Sequence, residues 1–161
     1  MKGLFSKEKW KYAFYTVSHP MDAYYEIRHR ERGCVPIAIL LVILFSFTFS
    51  INRMSAGFIV NDIDPLDVNA FTELIAVLLL YFLFCVSNWS ITCLMGGEGR
   101  MKDILIAIGY AMTPIIVCFN IATIFSQFVT EDEGAFYFII MGLGIAYGLI
   151  MMLMGIMQVH N

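Results

Sequence analysis

Residues 34–51 read CVPIAILLVILFSFTFSI, and this stretch decides the fold. From Val35 to Ile51 it contains no Asp, Glu, Lys or Arg, and its 17 residues reach the lower limit for crossing a hydrocarbon core of about 30 Å. Asn52 and Arg53 can extend the run by reaching for the headgroups. The stretch therefore predicts a transmembrane helix over residues 35–53. It follows directly on residues 19–33, HPMDAYYEIRHRERG, which are charged and aromatic.

Three further apolar runs of 25 residues each follow, at Phe71–Met95, Ile104–Phe128 and Ala135–Val159. At about 1.5 Å per residue each helix would be about 37 Å long, enough to cross a bilayer with some tilt. The chain of 161 residues is 60% hydrophobic and 14% charged, which is too apolar for a soluble domain. We predict an all-α, polytopic transmembrane helical bundle at residues 35–159, with four spans at about 35–53, 66–95, 102–128 and 131–159.

The basic residues are sorted to one side of this bundle. Seven of the ten Lys and Arg residues precede the first span, and Arg100 and Lys102 lie between the second and third spans. Only Arg53 falls on the other side, where both loops are acidic. The positive-inside rule then predicts that the N-terminus and the C-terminus are cytoplasmic.

Residues 1–34 are predicted to be a cytoplasmic, basic and aromatic amphipathic arm at the membrane interface. Pro20 suits the first turn of a helix, and Gly33 suits its end. The arm is either an anchor for anionic lipid headgroups or a docking face for a soluble partner. The residues expected to face lipid are Lys9, Trp10, Lys11, Tyr24, Tyr25, Arg28, Arg30 and Arg32.

Few ionisable side chains fall inside the spans. Glu73 lies near the outer end of the second span, where we expect it to reach toward the headgroups. A transporter driven by protons usually needs an ionisable group at greater depth, so the pattern disfavours that class. The four cysteines form no CxxC pair, and no catalytic motif occurs. We therefore predict no enzymatic activity, no cofactor, no metal and no nucleic-acid partner.

Polar and small residues mark the third and fourth spans. Pro114 should kink its helix, because it cannot donate a backbone hydrogen bond. Depth along the spans predicts that Asn88 faces Tyr110 and Thr113, whereas Asn120 lies nearer the outer leaflet and bonds elsewhere. These groups either make packing hydrogen bonds or line a substrate site. Candidates for helix packing or for partner binding, including a homo-oligomer, are Gly144, Gly148 and Gly155 on one helix face.

The order of these segments resembles the Yip domain family. It is carried by HPMDAYYEIRHRERG, by residues 88–114, NWSITCLMGGEGRMKDILIAIGYAMTP, and by an acidic loop before a glycine-rich span. The bacterial branch is most similar, because a His-Pro arm and a Gly-Tyr-x-x-x-Pro span recur there. Gly109, Tyr110 and Pro114 match that span, Gly97 and Gly99 match a glycine turn, and the resemblance covers about residues 16–159.

The resemblance implies an integral membrane protein with a cytoplasmic N-terminus and no known enzymatic activity. Eukaryotic members act in membrane traffic and bind Rab GTPases, whereas some bacterial members are associated with transport systems. The family usually has five spans, and this chain has four. We expect a non-enzymatic adaptor in the bacterial cytoplasmic membrane that assembles with other membrane proteins, one option being a transport system. The alternatives are a small transport component and a membrane-shaping or trafficking protein.

Overall fold

The structure is a computed structural model that describes residues 7–94 and 99–160. This part of the chain is helical and contains no strand. The predicted glycine turn at Gly97 lies outside the described residues. The helices are α1 (Lys7–Ser18), α2 (Pro20–Arg30), α3 (Val35–Ser55), α4 (Ala70–Leu94), α5 (Met101–Phe125) and α6 (Gly134–His160).

The four predicted spans are confirmed. The helices α3, α4, α5 and Gly134–Val159 of α6 are long and apolar enough to cross a membrane. Among them α5 is the most buried and α4 the least. The central helix α5 packs extensively against α6 and α3, whereas α4 packs less extensively against α3 and α5. We call the end that carries α1 and α2 the arm end, and the opposite end the far end.

Two spans begin later than the sequence pattern predicts. Pro65–Asp67 form a separate 3-10 turn, and α4 begins only at Ala70. The side chain of Asn69 accepts hydrogen bonds from the backbone N–H groups of Phe71 and Thr72, at 3.1 and 3.2 Å, and so caps the helix. A second 3-10 turn, Glu131–Glu133, precedes α6. Both turns use the acidic residues that the sequence places in these loops.

The predicted arm consists of two helices, and the second begins at Pro20, as the sequence predicts. The helix α1 ends at Ser18, because Pro20 has no N–H with which to continue it. The prediction that Gly33 ends the second helix is wrong, since α2 ends at Arg30 and Glu31 adopts a left-handed conformation with φ 50°. Gly33 has another role, because a Cβ atom there would lie 2.7 Å from a side-chain carbon of Ile106.

Candidate functional site

The arm is packed onto the bundle through Tyr24. The side chain of Tyr24 is fully buried, and its hydroxyl donates to the carbonyl of Ala107 at 3.3 Å. Its ring fills the space above Gly155, where a Cβ atom would lie 3.2 Å from two ring carbons. Ile27, one turn further along α2, is also fully buried. The prediction that Tyr24 faces lipid is therefore wrong.

A network of ion pairs joins α2 to the start of α5. Asp103 is buried, and its carboxylate lies 2.8 Å from Nε of Arg100 and 3.6 Å from the guanidinium of Arg28. Arg100 also donates to the carbonyl of Arg28 and to the carboxylate of Glu31. Lys102 donates to Glu31 at 2.6 Å. Arg28 thus serves the contact between the arm and the bundle, contrary to the prediction that it faces headgroups.

The contacts with Lys102 and Arg100 stabilise the charged, carboxylate form of Glu31. The hydrogen bond from Lys102 lowers the pKa of Glu31, with a further contribution from Arg100. A lowered carboxyl pKa adds stability that is present above the ordinary pKa of Glu and is lost as the pH falls through the lowered value. Because the side chain of Glu31 is mostly exposed, solvent screens this contribution.

Replacement of Asp103 is expected to loosen this end of the bundle. Asp103→Asn removes the charge shared by Arg28 and Arg100, and we expect the free energy of unfolding in detergent to fall by about 2 kcal/mol. The control is Glu31→Gln in the same network, whose side chain is 60% exposed, and we expect its free energy of unfolding to stay close to that of the wild-type chain. Equal losses in the two variants would show that burial of Asp103 does not matter.

The outer surface of the arm carries large apolar side chains. Phe14, Met21 and Tyr25 are 57%, 55% and 51% exposed, and we call these three residues the outer arm face. The ring of Tyr25 stacks on His29 at a centroid distance of 4.2 Å. Trp10, predicted to face lipid, is only partly exposed and packs against the core. One side of the arm is therefore buried against the bundle, and the opposite side is exposed.

Gly109, Tyr110 and Pro114, which match the family pattern, lie inside the bundle. At Gly109 the backbones of α5 and α3 approach closely, since a Cβ atom there would lie 2.6 Å from Cβ of Ala38. The neighbouring Tyr110 is buried, and its hydroxyl accepts a hydrogen bond from the N–H of Cys34 at 3.3 Å. Pro114 is also buried, and α5 continues through it to Phe125.

The glycine face of α6 packs against α5 and α2. A Cβ atom at Gly144 would lie 2.5 Å from Cβ of Cys118, and one at Gly148 would lie 2.6 Å from the side chain of Ile115. Gly155 contacts Tyr24, as described above. Of the two interpretations of Gly144, Gly148 and Gly155, the structure supports helix packing within the chain and not a free surface for a partner, because all three are buried.

Within the described part of the chain, Asn88 and Thr113 do not form a hydrogen bond with one another. Asn88 Oδ1 and Thr113 Oγ1 are both buried there without a hydrogen-bond partner. A hydrogen bond between α4 and α5 is instead made by Tyr81, whose hydroxyl donates to the carbonyl of Leu105 at 2.7 Å. Asn120 bonds elsewhere, as predicted: it donates to Thr48 at 3.3 Å.

A polar network at the far end was missed by the sequence analysis. The amide of Asn52 donates to Thr123 Oγ1 at 2.7 Å and accepts a hydrogen bond from the hydroxyl of Tyr137 at 2.9 Å. This network links α3, α5 and α6. Glu73 does not reach alone toward the headgroups, since it forms an ion pair with Arg53 of α3.

One cavity between the spans is apolar. It has a volume of about 210 Å³ and lies where α3, α4, α5 and α6 meet, and its exposed lining is carbon and sulfur. Its walls include Val42, Tyr81, Ile108 and Met152. Within residues 7–94 and 99–160, no group of three His, Cys, Asp or Glu side chains is placed to hold a metal ion. The charged groups of the described chain thus lie at the two ends of the bundle.

The comparison with protein families finds one match. A family model described as Yip1 domain matches residues 14–161, which include most of the arm and all four spans. No curated protein and no solved structure matches the chain. The matched region therefore contains both the buried Tyr24 contact and the close approach at Gly109.

Proposed function

The chain belongs to the Yip1 domain family of membrane proteins, and from this premise we propose that it is a non-enzymatic adaptor. It would bind another membrane protein through the outer arm face, with the arm in the cytoplasm of a bacterial cell. The observation that carries the proposal is the docked arm. Tyr24 and the pair of Arg28 and Asp103 fix α2 to the bundle, so the outer arm face is presented in one orientation.

The exposed side chains suit an interface. Large apolar residues that are more than half exposed on a segment with a fully buried opposite side mark an interaction surface. Preorganisation of such a surface also lowers the entropy that association costs. Phe14 and Met21 lie on different helices of the arm, so their common presentation depends on the fold of the whole arm.

The test is a crosslinking pull-down of the full chain from native membranes, with mass spectrometry. We expect one membrane protein in stoichiometric amount, and its recovery should fall about tenfold or more in Phe14→Ser with Met21→Ser, since loss of two anchor residues costs about 1.4 kcal/mol or more. The control is Phe58→Ser, an 86% exposed residue outside the arm. Recovery of the chain alone, or equal recovery from both variants, would contradict the adaptor proposal.

A transport component is the second candidate. Three buried polar atoms lack hydrogen-bond partners within the described chain: Ser46 Oγ, Asn88 Oδ1 and Thr113 Oγ1. In a bilayer such groups are costly unless water or a bound molecule satisfies them. If Asn88→Leu abolished uptake of a solute while assembly stayed intact, this candidate would replace the adaptor.

Membrane shaping is the third candidate, and it would use the same outer arm face as a wedge in the lipid. Phe14, Met21 and Tyr25 have the apolar character that insertion at an interface requires. Liposomes that contain the protein separate the two roles. An adaptor leaves their curvature unchanged, whereas a wedge produces tubules that disappear in Phe14→Ser with Met21→Ser.

A further inference from the structure

Two adjoining hollows lie on the arm, on either side of Tyr12 and Arg32. The larger has a volume of about 470 Å³, and the smaller has a volume of about 240 Å³. We call the two together the arm groove. It is lined by Lys9, Lys11, Tyr12, Tyr15, Glu26, Arg30, Glu31 and Arg32.

The arm groove has an excess of positive charge. Four cations line it, and its two carboxylates are already engaged by cations. Glu26 accepts one hydrogen bond from Arg30 at 3.3 Å and one from Arg32 at 2.9 Å. Glu31 is held from outside the groove by Arg100 and Lys102. Glu26 therefore orients the two guanidinium groups without using most of their donors, because each has five N–H groups.

The groove lies close to the membrane surface. Arg32 precedes Val35, the first residue of α3, by three residues, so it lies within about 10 Å of the start of the span. This is the depth at which lipid phosphates meet the ends of transmembrane helices. Guanidinium groups match phosphate oxygens in pairs, and lysine ammonium groups add compact charge.

We propose that the arm groove binds the phosphate of an anionic lipid headgroup. A phosphomonoester suits it best, because a dianion in the larger hollow can accept hydrogen bonds from Arg30, Arg32 and Lys9, while Lys11 adds positive charge from the adjoining smaller hollow. The aromatic walls, Tyr12 and Tyr15, then contact the glycerol end of the lipid. This inference goes beyond the adaptor role, and it concerns a surface distinct from the outer arm face.

The test is native mass spectrometry of the full chain in detergent micelles, with phosphatidic acid and phosphatidylcholine as the lipid probes. The wild-type chain is expected to retain phosphatidic acid with about tenfold preference, since each basic side chain near a headgroup contributes appreciably to anionic lipid binding. Arg32→Gln and, separately, Lys11→Gln are each expected to reduce that preference about fivefold.

The matched control is Ser18→Asp, which changes the net charge by the same amount at an exposed position outside the arm groove. It should keep the preference of the wild-type chain within about twofold. Lys11 makes no ion pair within the described chain, so Lys11→Gln decides the outcome if Arg32→Gln fails to fold.

Three results would overturn the proposal. The wild-type chain could bind the two lipids equally, or Ser18→Asp could lose as much preference as Lys11→Gln. Finally, inorganic phosphate at the same concentration as the phosphatidic acid could displace the bound lipid, which would make free phosphate the ligand. None of these measurements involves a protein partner, so a failure here leaves the adaptor proposal to its own test.

Discussion

Gly109→Ala is expected to lower the free energy of unfolding of the bundle by about 3 kcal/mol, the upper end of the usual cost of overpacking. A Cβ atom at this position would lie 2.6 Å from Cβ of Ala38 and 2.9 Å from both Cα and the carbonyl oxygen of the same residue. Two of these atoms belong to the backbone, so no change of rotamer can relieve the contact. The helices α3 and α5 must move apart, and much of the central packing of the bundle moves with them.

The control for this experiment is Gly142→Ala in α6. Apart from its chain neighbours and the backbone of its own helix, no atom lies within 4 Å of a Cβ built at Gly142, so the added methyl group meets open space. Alanine is the better helix former, and we expect this variant to be unchanged or more stable by up to about 1 kcal/mol. Denaturant titration in detergent gives both values. Equal stability of Gly109→Ala and Gly142→Ala would show that α3 and α5 do not approach as closely as described.

Tyr24→Ala is expected to release the arm, at a cost of about 3 kcal/mol or more for the loss of a large buried ring. The substitution empties the space above Gly155 and removes the hydrogen bond to Ala107. Trypsin then reports the release, since Arg28, Arg30 and Arg32 follow on the same helix or just after it. Cleavage there should accelerate about tenfold or more, because it tracks the population of the open arm.

The adjacent Tyr25→Ala is the matched control for Tyr24→Ala. Tyr25 is the same residue type, but it is 51% exposed and contacts His29 within its own helix. We expect its replacement to change the free energy of unfolding by about 0.5 kcal/mol or less and to leave the cleavage rate unchanged. If Tyr25→Ala released the arm as readily as Tyr24→Ala, the arm would not be held by the contact at Gly155.

The spans could be predicted from the sequence because their signal is local. A continuous apolar run of sufficient length specifies a transmembrane helix regardless of what it packs against. The first residue of a span is specified less well by the apolar run, since α4 begins at Ala70 and not at residue 66. The cap by Asn69 explains this difference, and Asp64 and Pro65 compete with it as a helix start.

The sequence does not predict in the same way which side of each helix packs against its neighbours. In a soluble protein apolar residues face inward, but in a membrane both sides of a span are apolar, so hydropathy does not orient it. Depth along the spans placed Asn88 opposite Thr113, because it assumed helices in simple register. The hydrogen bond from Tyr81 to Leu105 joins α4 to α5 instead, and no single span encodes this pairing.

One missed feature did leave a signal in the sequence. Residues 45–52 read FSFTFSIN, in which polar residues recur at every second position. On a helix, residues two apart point about 200° apart, so such a run places polar groups on two opposite sides. One side meets Glu73 of α4 through Ser50, and the other meets Thr123 of α5 through Asn52. The run therefore marks a helix packed between two neighbours.

The most direct test of the docked arm is hydrogen–deuterium exchange of the unmodified chain in lipid nanodiscs. The backbone amides of α2 from Tyr24 to Arg30 are expected to exchange about a hundredfold or more slowly than an unstructured chain, as slowly as those at the arm end of α5. Such protection would mean that the arm is part of the folded bundle and presents a fixed surface. The account would be contradicted if the backbone amides of α2 exchanged at the rate of a free peptide while those of α5 stayed protected.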